Sequence, residues 1–95
     1  MSLKERLSDF AGALTSATYA PDAYPMPEYV NYETNMADLR QLWGEIRPQL
    51  KHDADKAAFI EGKLQEMFVA FKAGEKDKGR KAVMAIYNLD VEKLR

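Results

Sequence analysis

The chain's single histidine, His52, stands in the run Lys-His-Asp-Ala-Asp, with Asp53 and Asp55 close behind it. An imidazole oriented by a carboxylate is the pairing used for general-base catalysis and for holding a metal ion. The same residues have a plainer use. A polar turn between helices needs short carboxylates to accept hydrogen bonds from the free first-turn amides of the next helix, and Asp53 or Asp55 would serve. A solvated interhelical turn whose aspartates cap the next helix accounts for all three residues, and it is the expectation here. The other carboxylates do not assemble either. Glu61 and Glu66 are five apart, too far round a helix to converge, while Asp38 and Glu45 share a face but need a second helix to complete a metal site. The sequence has no H-E-x-x-H, no G-x-S-x-G, no P-loop and no cysteine to pair with the histidine. No catalytic residue, metal site or cofactor is assigned.

Recognition chemistry is better represented. Residues 19–32 read YAPDAYPMPEYVNY, with Pro21, Pro25 and Pro27 and four of the five tyrosines. Proline at that density excludes a helix and favours extended or polyproline backbone. A connection of this length without elements of its own is uncommon in a small domain. Tyrosine joins a large apolar body to a polar tip and concentrates in recognition surfaces, and proline reduces the entropy a segment loses on binding. Tyr19, Tyr24, Pro25, Met26, Pro27, Tyr29 and Tyr32 are therefore the candidate partner-binding residues. The competing expectation is an ordered crossover that lays Tyr24, Met26, Tyr29 and Val30 over a helical bundle as a lid.

A third stretch, Lys72 to Lys81, carries five cations against two anions. It could touch phosphate or an acidic partner. The commoner explanation is a solvated turn, with Glu75 and Asp77 interleaved among the cations.

These residues must be positioned by helices, because the apolar residues recur at steps of three and four. Ala57, Ile60, Leu64, Met67, Phe68 and Phe71 form the strongest stripe, on a helix over about 54–73 that Gly74 should stop. Met36, Leu39, Leu42, Trp43 and Ile46 place a helix over about 34–47, ended by Pro48. Ala82, Val83, Ile86 and Tyr87 mark one over about 77–89, and a short turn over 90–95 holds on through Leu94. Trp43 and the methionines Met36, Met67 and Met84 read as core. The first helix, about 2–19, opens on a capping-box pattern, Ser2 with Glu5. Its face of Leu3, Leu7, Phe10, Ala11, Leu14 and Ala17 is light, so this helix should either pack closely or be partly loose. The connections at 48–53 and 72–80 are short, so the three later helices should be antiparallel neighbours and form the spine. The final hairpin shares a glycine turn, with Gly79 five residues on, with tetratricopeptide units. It lacks their large aromatic, leucine–glycine pair and tyrosine, so no function is carried over.

Ninety-five residues make one small domain, and no strand pattern competes. The expected fold is all-α: a small bundle of three to four helices with a long Tyr/Pro-rich loop between the first and second. The absence of cysteine excludes a disulfide framework and agrees with a cytoplasmic setting. No apolar run is long enough to span a bilayer, and a net charge of −1 disfavours general binding to nucleic acid. The leading expectation is a small non-catalytic protein–protein interaction module: an adaptor, an inhibitor or an assembly subunit. Self-association through exchange of the first helix is compatible with the long connection. The alternative is a ligand-binding or enzymatic bundle whose pocket is lined by Trp43, Tyr24, Tyr29 and Phe68.

Overall fold

Four stretches keep helical apolar spacing, and each is a helix in the computed structural model, which describes residues 2–95. The elements are α1 (Leu3–Ala17), α2 (Tyr32–Ile46), α3 (Ala54–Lys72) and α4 (Lys76–Tyr87), with 3₁₀ turns at Arg47–Gln49 and Val91–Lys93. No strand occurs among the described residues.

The helix ends follow from local chemistry. The Ser2 hydroxyl accepts the Glu5 amide and opens α1. Asn31 and Thr34 form a reciprocal capping box at the start of α2, each side chain accepting the other's backbone amide. Gly74 closes α3 at φ +79°, donating to the Phe71 carbonyl while Glu75 donates to that of Ala70. That pair of bonds is a Schellman cap, and the left-handed residue it requires is most easily glycine. One cap differs from expectation. Asp53 occupies the N-cap position of α3, but its side chain makes no capping bond. Its carboxylate accepts the Arg95 amide at 2.8 Å instead, while the Arg95 carbonyl receives the amides of His52 and Asp53. The last residue is thereby fastened to the α2–α3 connection. Asp90 likewise makes no side-chain cap; it takes a left-handed backbone conformation ahead of the final turn.

The packing corrects the expected spine. The closest pairs are α1 with α2 and α3 with α4, and α1 also meets α4 and the Val91–Lys93 turn. Of the two expectations for the first helix, close packing is what occurs: Leu7, Phe10, Leu14 and Ala17 are fully buried. Its small side chains permit close approach of neighbouring helices, so a light face packs tightly. Phe10 lies 5.6 Å from the Trp43 ring, and the Trp43 indole N–H reaches Glu61, so Trp43 is core as expected. Met36 and Met67 are buried, but Met84 is 41% exposed and Tyr87 lies beside it at the surface. The residue expected to echo a repeat turn, Gly79, is buried against Phe71, where a Cβ would come within 2.4 Å of the ring.

Candidate functional site

Residues 18–31 join α1 to α2 through turns at 18–22 and 27–29, with an irregular stretch at 23–26 between them and Asn31 extended ahead of α2. The Ala23 amide bonds to the Tyr19 carbonyl, and the Tyr29 and Val30 amides both bond to that of Met26. The prolines permit this because Pro27 takes the second position of the Met26–Tyr29 turn, where its fixed φ is favourable and its missing N–H is not needed.

Both sides of this connection are anchored. Toward α4, the Arg80 guanidinium donates to the Ala20 carbonyl at 2.7 Å and to Asp22, and Lys76 pairs with the same carboxylate. The hydrogen bond from Lys76 holds the Asp22 carboxyl below its ordinary value; desolvation opposes it, and the Lys76 and Arg80 charges add smaller lowering contributions. Toward α1 and α2, the Tyr24 hydroxyl donates to Asn35 Oδ1 at 2.8 Å, and Asn35 Nδ2 donates to the Ala13 carbonyl at 2.9 Å. Asn35, the one buried polar side chain among the described core residues, is thus satisfied from two directions. Burial pushes the Tyr24 phenol up to about 12, with the nearby Tyr32 contributing.

The expected site residues divide. Tyr24 and Tyr32 are half-buried: one bonds to Asn35, the other meets Phe71 edge-on at 6.0 Å. Met26 (58% exposed), Tyr29 (75%) and Val30 (38%) face solvent together with Pro25 and Pro27. The first three belong to one hydrogen-bonded turn. Tyr19 is exposed on the preceding turn, apart from that group. The anchoring residues Asn35, Asp22 and Arg80 were not anticipated. Arg80 and Ala20 are 60 positions apart, and no local pattern marks such a bond.

Elsewhere the chemistry is quiet. His52 is exposed, and among the described residues no group of three His, Cys, Asp or Glu could hold a metal ion. Lys76 and Arg80 are committed to Asp22, and Lys78 to Glu75. The four residues of the aromatic-pocket alternative differ in exposure: Trp43 is in the core, Tyr24 and Phe68 pack against that core, bonded to Asn35 and stacked under Arg40 respectively, and Tyr29 faces solvent. Among the described residues no helix is long and apolar enough to cross a membrane. No family model, no curated protein and no solved structure matches the chain, so the site rests on its own geometry.

Proposed function

We propose that this chain is a small non-catalytic protein-interaction module, an adaptor, inhibitor or assembly subunit, that offers the Met26–Val30 turn to a partner protein. One observation carries the reading: three exposed apolar side chains share a turn that is fixed on both flanks, by Tyr24–Asn35 before it and the Asn31–Thr34 capping box after it. Exposed apolar groups on a preorganised segment bind with little ordering cost, because the backbone is already in place. Tyrosine and methionine are also enriched in interface cores. The missing cysteines support a reducing setting such as the cytoplasm.

The test is capture from native cell extract with wild type and with Met26→Ser/Tyr29→Ser. Neither side chain is buried, so the double variant should melt with the wild type. A partner held by wild type and lost by the variant is the expected result. Equal retention by both would assign the turn to scaffolding.

A further inference from the structure

The exposed turn opens at Val30 into a groove of about 490 Å³ between α1 and α2. Its apolar surface comes from Ala13, Val30 and Leu42, while Asp9 and Asp38 stand along it. No Lys, Arg or His lines it, and both aspartates are exposed without an ion-pair partner among the described residues. The pattern contrasts with the opposite side of the connection, where Asp22 is satisfied by Lys76 and Arg80. It contrasts also with the α1–α2 pair Arg6–Glu45, closed at 3.0 Å. Gly12 lies in the same wall and has nothing within 4 Å of where a side chain would begin, so a partner's backbone can approach closely there.

We infer that the partner element this site accepts is a basic amphipathic helix, laid along the α1–α2 groove with an apolar residue against Val30 and Leu42 and lysine or arginine opposite Asp9 and Asp38. The inference rests on the Met26–Val30 turn being the binding surface, and it names what binds there. A third helix fits a groove between two helices through anchors at i, i+3, i+4 and i+7. Charge decides which helix: two unpaired carboxylates beside the apolar Ala13, Val30 and Leu42 favour a cationic segment and repel an anionic one.

The test is selection from a phage-displayed library of random peptides on wild-type protein, followed by binding of the enriched peptides to variants. Enriched peptides should carry surplus lysine and arginine interleaved with apolar residues at helical spacing. They should lose about tenfold or more in affinity for Asp9→Lys/Asp38→Lys. They should lose less for Asp9→Asn/Asp38→Asn, and weaken as salt rises. Both aspartates are exposed, so unchanged melting temperatures serve as the folding control. No enrichment, enrichment without a cationic surplus, or equal binding to the charge-reversed variant overturns the inference. The Met26→Ser/Tyr29→Ser arm separates the two readings. Loss there with no loss on charge reversal keeps the turn and discards the basic partner. No loss there discards the turn and the inference built on it.

Discussion

Removing one oxygen, in Tyr24→Phe, tests whether the connection is held as described. The ring and its packing remain, but Asn35 Oδ1 loses its donor, and Asn35 is only 2% exposed. An acceptor stranded away from water costs its desolvation energy rather than the small net value of a hydrogen bond, about 1–2 kcal/mol at a part-buried site. In a domain of this size each kcal/mol moves the melting midpoint by roughly 4–8 °C. Urea unfolding should therefore show a lower midpoint with an unchanged slope. A double-mutant cycle with Asn35→Ala should return a coupling on the order of 1 kcal/mol, since the two groups touch directly. The proton linkage gives a second reading. The Tyr24 pKa is raised from 10.0 to about 12, so the folded state favours the neutral phenol. That contribution is fully present below pH 10.0 and is lost as pH rises through about 12. The phenolate absorbance step near pH 12 should vanish in Tyr24→Phe. A variant within about 0.3 kcal/mol of wild type, with no coupling to Asn35, would refute the anchoring argument.

Two further perturbations follow from the packing and the ion pairs. Gly79→Ala places a Cβ 2.4 Å from Phe71 Cε1, so the ring or α4 must shift. Overpacking should outweigh alanine's better helix propensity, and thermal denaturation should show a net loss of about 1–2 kcal/mol; a gain would mean that Phe71 moves aside freely. For Asp22, the lowered carboxyl pKa means stability that is present above pH 3.8 and lost as pH falls through the folded-state value. The melting temperature of Asp22→Asn should trail wild type at neutral pH and converge with it in acid below pH 3.8. A gap that stays constant with pH would show that the carboxylate charge is not what Lys76 and Arg80 hold.

Local order was legible because it depends on local chemistry. The α3 stripe, the Gly74 stop and the burial of Trp43 could be read from spacing alone. What could not be read depends on partners distant in sequence. The alanines of α1 look like a weak face until a neighbouring helix approaches them. In α4, AVMAIY wraps round more than half the helix, and only the packed structure decides that Val83 and Ile86 turn in while Met84 and Tyr87 turn out. The Tyr/Pro segment was visible as unusual, but its two kinds of tyrosine were not distinguishable. Tyr24 and Tyr32 are assigned inward by Asn35 and Phe71, residues that a single-sequence pattern does not link to them. Asp53 shows the same limit, since a carboxylate placed to cap its own helix bonds to Arg95 instead.

The fastening of Arg95 to His52 and Asp53 bears on how the molecule can be handled. The Met26–Val30 turn precedes α2 and the fastened residues follow it, so the 15 residues of that helix separate them. At about 1.5 Å per residue this is on the order of 20 Å. A bead, dye or fusion joined through Arg95 would therefore sit at the far end of α2 from the exposed turn. Immobilised that way, every copy would hold Met26 and Tyr29 toward the solution, whereas attachment through lysines would present the molecules in mixed orientations.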